Sequence, residues 1–397
     1  MESLEFFDPR LPGVVADPYP HYAHWREADP VHRAPCPSPI FPEQWFLFRH
    51  ADVVAALRDP RLGRDWHRVS ERRTAVRIPP DVRELVLWVD EWMLSVDPPL
   101  HTELRGAVAD AFRPRALEHL QAPIACRAEA LLDGCAASGS FDVLADFALP
   151  LTSNAIADVL GIPDAERAGF LEATRGLEAV FGGGLAQLPR AAAAARTVSD
   201  LFERLIEASA SPFLSRFAHT SGVARRRAIG TCMFLYGAGF ATTVHAIGNG
   251  VLAFAKDPAA WAALRKEPGI VTSAVEEVLR YDGPTQRSQR FASDSLELGG
   301  RVIPKGALVV PVLGSANRDP AAFPDPDRFD PTRNPSALAS FGGGIHSCLG
   351  AWLARLEIRL ALDALSRRFS ELALSGQPLE WREAAARGLR RLIVEAR

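Results

Sequence analysis

The sequence is poor in cysteine, and its cysteines form no recognisable pair. There are five in 397 residues, an odd number, and no two stand in a CxxC arrangement. This argues against a disulfide framework and against a structural zinc site. We therefore expect a protein of the reducing cytoplasm. The cysteines are Cys36, Cys126, Cys135, Cys232 and Cys348.

The sequence also lacks an excess of either charge. Lysine and arginine together number 45, aspartate and glutamate 48, and the formal net charge is −3. Such a balance creates no general attraction to nucleic acid or to an anionic membrane. The first residues, MESLEFFDPRLPGVV, have neither the basic nor the apolar region of a signal peptide. We expect no nucleic-acid partner and no export.

Long uncharged runs are scarce as well, and the most conspicuous extends from Thr231 to Ala255. A helix over this run would be long enough to cross a bilayer. Its centre, however, contains His245, Asn249 and several glycines, and no basic flank with an aromatic belt accompanies it. This predicts a buried helix in the middle of a large soluble protein, and no membrane span.

Helical periodicity dominates the chain. It predicts helices over 51–58, 100–112, 115–136, 153–160, 164–179, 188–209, 223–255, 258–265, 269–281 and 349–369. Strand-like alternation is confined to 44–50, 295–304, 307–312 and 389–395. No break in composition separates domains. We predict a single domain over residues 1–397, mainly α with small β-sheets and a small β-rich edge region on its N-terminal side.

One loop combines a cysteine with an unusual density of glycine. It runs Phe341-Gly-Gly-Gly-Ile-His-Ser-Cys-Leu-Gly350 and precedes the helical sequence AWLARLEIRLALDAL. Consecutive glycines mark a backbone that turns tightly or approaches another group closely. A cysteine just before a helix is favoured as a thiolate by amide hydrogen bonds and by the helix dipole, and a thiolate is a good iron ligand. The commoner alternative for a lone cysteine is a buried neutral thiol.

The pattern FGGGIHSCLGAWLAR resembles the haem-binding loop of the cytochrome P-450 family, FGxGxHxCxGxxLAR, at every fixed position. The resemblance implies a haem b cofactor between the long central helix and the helix after the cysteine. It implies that Cys348 ligates the haem iron and that Phe341 packs near the sulfur. His346 is then expected at a haem propionate, and Arg355 on the proximal side. The loop glycines expected at the cofactor are Gly342 and Gly350.

A second motif, Glu277-Val-Leu-Arg280, lies in the helical sequence SAVEEVLRYDGP. The spacing places both side chains on one helix face, where they can pair, although such pairs alone are a weak signal. The motif resembles the family's ExxR, which fixes this helix to a later meander. That meander is recognisable as NRDPAAFPDPDRFDP, with Arg328 as the expected third member of a structural Glu-Arg-Arg network.

A third motif, DPPLHTELR, ends at Arg105 and resembles the family's DPPxHxxxR. His101 and Arg105 are i, i+4 on a predicted helix, and both would face haem carboxylates, which need nearby donors. Without the other motifs, a histidine and an arginine on a solvated face would be the preferred interpretation. Arg290, in PTQRSQRF, stands where the family usually supplies a further propionate contact.

The central helix carries a fourth motif, AGFATT, which resembles the family's AGx[DE]T[ST]. The small residues Gly237, Ala238 and Gly239 are expected to leave room for substrate and dioxygen. By the same resemblance, Thr242 is the alcohol that assists oxygen activation. Ala241 departs from the pattern, because the family normally has an acid there that serves proton delivery. Alanine cannot carry a proton.

Three interpretations of this departure remain open. Either ordered water together with Thr242 suffices to deliver protons, or the substrate supplies them from its own acidic or hydroxyl group. Alternatively His245, one turn further along the helix, contributes, since its pKa suits the task. We favour the first two, because a histidine in a buried helix is more often hydrogen-bonded locally.

The resemblance implies a haem-thiolate monooxygenase that hydroxylates or oxidises a small natural product. The substrate would be an aromatic or polyketide acyl group, free or tethered to an acyl carrier protein. Electrons would come from NAD(P)H through a ferredoxin reductase and a ferredoxin, and we expect a monomer.

The missing acid keeps a peroxygenase, coupling oxidase or dehydratase as an alternative function, and a non-catalytic haem gas sensor or carrier is a third possible function. Substrate contacts are expected from the central helix and from stretches 63–94, 170–190, 284–289 and 384–388.

Overall fold

Helices make up most of the molecule. The computed structural model describes residues 5–36, 41, 43–68, 80, 82–177, 188–218, 223–383 and 386–396. In chain order the α-helices are α1 (Pro12–Ala16), α2 (Tyr19–Ala28), α3 (His50–Arg58), α4 (Arg83–Asp90), α5 (Leu100–Ala109), α6 (Pro114–Leu117), α7 (Gln121–Ser138), α8 (Leu149–Leu160), α9 (Asp164–Arg175), α10 (Leu188–Glu207), α11 (Pro212–Ala218), α12 (Arg225–Lys256), α13 (Pro258–Lys266), α14 (Val271–Asp282), α15 (Leu313–Ala316) and α16 (Ala351–Arg368). The predicted fold class, mainly α with small sheets, is confirmed.

Short strands form small sheets at the edges. They are β1 (Val31–Pro35), β2 (Glu43–Leu47), β3 (Leu62–Gly63), β4 (Ser140–Asp142), β5 (Arg290–Ala292), β6 (Leu296–Leu298), β7 (Arg301–Ile303), β8 (Leu308–Pro311), β9 (Leu372–Leu374) and β10 (Ile393–Ala396). One sheet has the order β1-β2-β8-β5-β3, another β4-β10-β9, and β6 pairs with β7. The β2–β8 pair is parallel and the other neighbours are antiparallel.

Two predicted elements are divided in the structure. The strand predicted over 295–304 is the β6–β7 hairpin, because Gly299 and Gly300 take φ of +53° and +78°, which suits a tight turn. The helix predicted over 115–136 is divided into α6, a 3-10 turn and α7. Pro123 explains this division, since proline lacks the amide that a continuous helix requires but is tolerated in the first turn of α7.

Helix α12 runs through the middle of the molecule for 32 residues and packs on α8, α10, α14 and α16. A Cβ on Gly248 would lie 2.4 Å from a methyl of Leu144, so glycine permits close packing there. Two described helical segments, α12 and Val143–Leu160, are long and apolar enough to span a membrane, yet 72% and 61% of their apolar windows are buried. Such burial is typical of core helices, as predicted for Thr231–Ala255.

Candidate active site

Glycine shapes the loop that carries Cys348. Gly342 and Gly344 have φ of +68° and +66°, a left-handed conformation that other residues rarely adopt. A Cβ on Gly344 would also lie 2.4 Å from the carbonyl oxygen of Leu57, at the end of α3. The Cys348 N–H closes the loop by donating to the carbonyl of Phe341 over 2.8 Å. The cysteine is thereby fixed just before α16.

The surroundings of Cys348 do not by themselves favour a thiolate. Burial raises the pKa of this thiol, although the Gly350 amide and the guanidiniums of Arg105 and Arg355 act in the opposite direction. The Gly350 amide at the start of α16 acts in the direction expected from the sequence, but burial outweighs it. The side chain nevertheless keeps a face exposed. A metal cation at the sulfur would remove the proton, as it does from coordinating thiols in general.

Arg355 supports the loop from behind. Its guanidinium lies 4.3 Å from the centre of the Phe341 ring, a favourable position for a cation over an aromatic face. The same group donates to Glu276 Oε2 of α14 over 2.9 Å. These contacts join the cysteine loop, α16 and α14 into one unit.

Asp97 organises a cluster of polar side chains next to the loop. Its carboxylate accepts the N–H groups of Arg64 and Asp65 at 2.9 and 3.0 Å, and it lies 3.0 Å from His346 Nε2. Burial raises the pKa of Asp97, but these hydrogen bonds outweigh burial and the pKa falls to about 2. The carboxylate is therefore ionised at neutral pH.

His101, Arg105 and His346 come together at this cluster. The rings of His101 and His346 lie 4.3 Å apart, and Arg105 donates to the carbonyl of Ser347 over 2.8 Å. Burial, with His346 and Arg105 nearby, lowers the pKa of His101 to about 4, so its ring is neutral at pH 7. Side chains from two separated motifs thus converge beside the cysteine loop.

Arg290 lies beside a second arginine, Arg64, that no sequence motif marks. Arg290 Nη1 donates to the Gln289 carbonyl over 2.8 Å and to Ser288 Oγ over 2.7 Å; Arg64 Nη1 donates to the same carbonyl over 2.9 Å. Burial lowers the pKa of Arg290 to about 10 and, together with the charge of Arg290, that of Arg64 to about 9. Neither guanidinium forms a salt bridge within the described ranges. Two desolvated cations side by side favour an anion between them.

The face of α12 that contains Ala241 lines an apolar cavity. Gly237, one turn earlier, shares this face. The other lining residues are Trp92, Thr174, Leu177, Met233, Phe234 and Phe240. They belong to the central helix and to the stretches 63–94 and 170–190, of which 69–79, 81 and 178–187 lie outside the described residues. Thr242 Oγ1 donates to the Ala238 carbonyl over 3.3 Å, a long hydrogen bond that leaves the hydroxyl available to another partner.

Gly239 does not border that cavity. A Cβ at this position would lie 2.5 Å from Ile156 of α8, so the glycine lets the two helices approach each other. The space expected for substrate beside Gly239 is occupied by Ile156, and that expectation is wrong. The free space beside α12 lies at Gly237 and Ala241 instead.

Comparison with known proteins agrees with these features. A family model described as cytochrome P-450 matches residues 200–381. The cytochrome P-450 monooxygenase PikC of Streptomyces venezuelae is 36% identical over 398 residues, which cover 96% of this chain and 92% of PikC. The chain belongs to the cytochrome P-450 family. It is a monooxygenase-type oxidoreductase, and the family implies a haem, so the predicted family and enzyme class are confirmed.

Solved structures show the same cytochrome P-450 fold along nearly the whole chain. PksS, from the bacillaene polyketide synthase of Bacillus subtilis 168, has a TM-score of 0.89 at 31% identity, covering 98% of this chain and 100% of its own. Cytochrome P-450 BioI, in complex with an acyl carrier protein that bears hexadec-9Z-enoic acid, has a TM-score of 0.88 at 31% identity, covering 97% and 100%.

In this cytochrome P-450 the Glu277–Arg280 pair is completely buried, with both side chains 0% exposed. The two form a bidentate pair, with Nε–Oε2 at 2.7 Å and Nη2–Oε1 at 2.8 Å. Arg280 also donates to the carbonyls of Asn317, Pro326 and Arg328. The pair therefore fixes α14 to the meander, as the motif predicts.

The third arginine of the network is Arg333, and the prediction of Arg328 is wrong. Arg333 Nε lies 3.4 Å from Glu277 Oε2, and its side chain is 15% exposed. The Arg328 side chain is 67% exposed and pairs with Asp330. It turns outward because its backbone carbonyl, rather than its guanidinium, faces Arg280.

His245 is bound locally and does not face the cavity. Its Nε2 lies 2.6 Å from Arg382 Nη1, and a Cβ on Gly388 would come within 2.1 Å of the ring. Burial and the charge of Arg382 lower the pKa of His245 to about 3. The ring is neutral at working pH, so the interpretation of His245 as the proton carrier loses its support.

Proposed function

We propose that this cytochrome P-450 hydroxylates or otherwise oxidises a small natural product with dioxygen and electrons from a ferredoxin. The observation that carries the proposal is the apolar cavity on α12 next to Thr242, which suits an apolar organic substrate. The names of two relatives support the substrate class, since PikC is a monooxygenase and PksS belongs to polyketide biosynthesis.

The described residues fit a haem. When bound, the haem supplies the redox chemistry that activates dioxygen. Cys348 would offer its sulfur to the iron from a loop that Phe341 closes and that Gly342 and Gly344 shape, with the Gly350 amide acting on the sulfur. The adjacent guanidiniums, buried at Arg290 and half-buried at Arg64, need an anion, and the two propionates of a haem would meet that need. The side chains assigned to the propionates are His101, Arg105, Arg290 and His346, with Arg64 in addition.

Replacing Arg64 with leucine is expected to speed haem loss by about ten- to a hundredfold. A hydrogen bond to a charged group contributes about 1.5–3 kcal/mol, which corresponds to that factor. Haem transfer to excess apomyoglobin measures the rate. Arg68→Leu is the matched control, because Arg68 is 52% exposed and pairs with Asp65. Equal rates for the two variants would remove Arg64 from the propionate site.

Proton delivery is assigned to water held by Thr242 or to a hydroxyl or acidic group of the substrate. Ala241 carries no proton and His245 is neutral, whereas the long Thr242 hydrogen bond leaves its hydroxyl able to bind either. Thr242 then orients the proton donor, and the apolar lining of the cavity excludes other water.

Ala241→Glu is expected to leave coupling between NADPH consumption and product formation unimproved, and to weaken substrate binding by about tenfold. The methyl of Ala241 lines the apolar cavity, and a carboxylate there would be desolvated and would occupy substrate space. Ala241→Gln controls for volume. A sharp rise in coupling with glutamate, but not with glutamine, would mean that the missing acid limits the native enzyme.

The reaction type is tested by supplying oxidant in two ways. We expect product with ferredoxin, ferredoxin reductase and NADPH, from an enzyme that acts as a cytoplasmic monomer. Ala241 favours a second candidate, a peroxygenase, coupling oxidase or dehydratase that does not use the family's proton relay. Product with hydrogen peroxide alone, and none with the reductive system, would select that candidate.

A carrier-tethered substrate is part of the proposal. BioI supports it, because that structural neighbour was solved with an acyl carrier protein. Titration of the haem absorption with a substrate, free and attached to its carrier protein, decides the matter. Tighter binding of the carrier-bound form is expected, and tighter binding of the free form would reject carrier recognition.

A further inference from the structure

The cavity on α12 has walls that are almost entirely apolar. Trp92 and Phe234 form one side, with ring centres 5.6 Å apart and planes inclined by 36°. Gly237 and Ala241 leave space along the helix, and among the residues that the structure describes Met233, Phe240, Leu177 and one threonine, Thr174, form the rest of the lining. A ligand would meet mostly carbon, so each polar atom in the wall carries much of the selectivity.

Thr174 is the next-to-last residue of α9 and is only 2% exposed. Its hydroxyl has no hydrogen-bond partner among the residues that the structure describes. This is unusual, because a threonine inside a helix commonly donates to the carbonyl four residues earlier. Its methyl lies towards α12, since a Cβ on Gly237 would be 3.3 Å from Thr174 Cγ2. A buried hydroxyl without a partner is destabilising, so a partner at this position would be favourable.

Other unpartnered hydroxyls do not share this position. The Tyr236 hydroxyl also lacks a partner in the described part of the chain, but its ring packs against Phe170 and Phe240 and it does not line the cavity. Thr231 is likewise buried away from the lining. Thr174 therefore combines burial, an unsatisfied hydroxyl and a place in the cavity wall.

We propose that Thr174 is a specificity-determining residue that hydrogen-bonds an oxygen of the substrate. The inference rests on the proposed function and names the substrate class: an apolar, partly cyclic or aromatic skeleton with a hydroxyl or carbonyl oxygen on the side facing α9. A threonine hydroxyl both donates and accepts, so it serves either oxygen. Gly237, opposite Thr174, and Ala241 are one helical turn apart, roughly 6 Å. The anchored oxygen is therefore separated along α12 from the part of the substrate next to Thr242.

The test uses the haem-loaded enzyme and N-alkylimidazoles of graded chain length, each prepared with a terminal methyl group and as the terminal alcohol. The imidazole binds the haem iron, and the dissociation constant is read from the difference spectrum. At the best chain length we expect the native protein to bind the alcohol about two- to tenfold more tightly than the methyl compound. Thr174→Val should abolish this preference, and Thr174→Ser should retain it.

A second measurement separates ligand recognition from a structural role. Without ligand, Thr174→Val should melt at the same temperature as the native protein or higher, because the variant removes an unsatisfied hydroxyl at nearly constant volume. An alcohol preference that survives in Thr174→Val would overturn the assignment of Thr174, as would the absence of any preference in the native protein at every chain length. Neither result would contradict the proposed haem-thiolate function. A protein that takes up no haem would contradict the proposed haem-thiolate function as well.

Discussion

Arg280→Met is expected to lower the free energy of unfolding by about 3–5 kcal/mol, because it leaves the carboxylate of Glu277 buried without its main counter-charge. Both side chains are 0% exposed, so water cannot replace the lost guanidinium. The variant also removes donors from the carbonyls of Asn317, Pro326 and Arg328, which hold the meander to α14. Urea unfolding followed by circular dichroism measures the change.

Two other arginines provide matched controls for this prediction. Arg328→Met removes a 67% exposed side chain from the same meander and should change stability by about 0.5 kcal/mol or less. Arg333→Met should lower the free energy of unfolding by an amount between those of Arg328→Met and Arg280→Met, because Arg333 lies within reach of Glu277 but does not form a bidentate pair with it. If Arg333→Met proved no more destabilising than Arg328→Met, the assignment of Arg333 to the network would be incorrect.

Residues whose main contacts are with near neighbours in the chain were predictable from the sequence. The i, i+3 pair Glu277–Arg280 lies on one helix face, and the Phe341–Gly350 loop closes on itself through the Cys348 amide. Helical periodicity likewise predicts the long α12 to within a few residues, because its burial extends over many turns. In each case the interaction that decides the structure is local.

Residues whose role depends on distant segments were not predictable. Arg328 and Arg333 occupy the same proline-rich coil, where no periodicity indicates which side chain turns inward. Arg64 stands in an arginine-rich stretch, for which the sequence alone favours a solvated surface. In the structure Arg64 follows β3 and lies beside Arg290. Thr174 resembles any helical threonine, and only the tertiary structure shows that this residue lines the cavity and that its hydroxyl has no partner among the described residues. The role of Gly239 was equally unpredictable, because only the tertiary structure shows that Ile156 packs against it and that its small size serves helix packing.

Cys348→Ser is expected to abolish monooxygenase turnover and the red-shifted Soret band that marks thiolate ligation in the reduced, carbon-monoxide-bound haem. A thiolate is a soft ligand that donates electron density to iron and favours oxygen activation, whereas a serine oxygen is harder and far less easily deprotonated. The loop itself should persist, because its shape depends on the glycine conformations and on the Cys348 amide, which serine retains. Loss of function should therefore occur without loss of fold, as judged by circular dichroism.

Cys126→Ser is the control, because Cys126 is an exposed cysteine on α7, far along the chain from the loop. It should leave both the carbonyl spectrum and turnover unchanged. A Cys348→Ser protein that kept the thiolate-type spectrum would show that another sulfur ligates the iron, and would reject the assignment of the loop. Burial raises the pKa of the Cys348 thiol, and a bound iron would act in the opposite direction by displacing the proton. A Cys348→Ser protein that binds haem but lacks the thiolate band would show that the sulfur–iron bond is lost. It would also show that the propionate cluster still holds the haem.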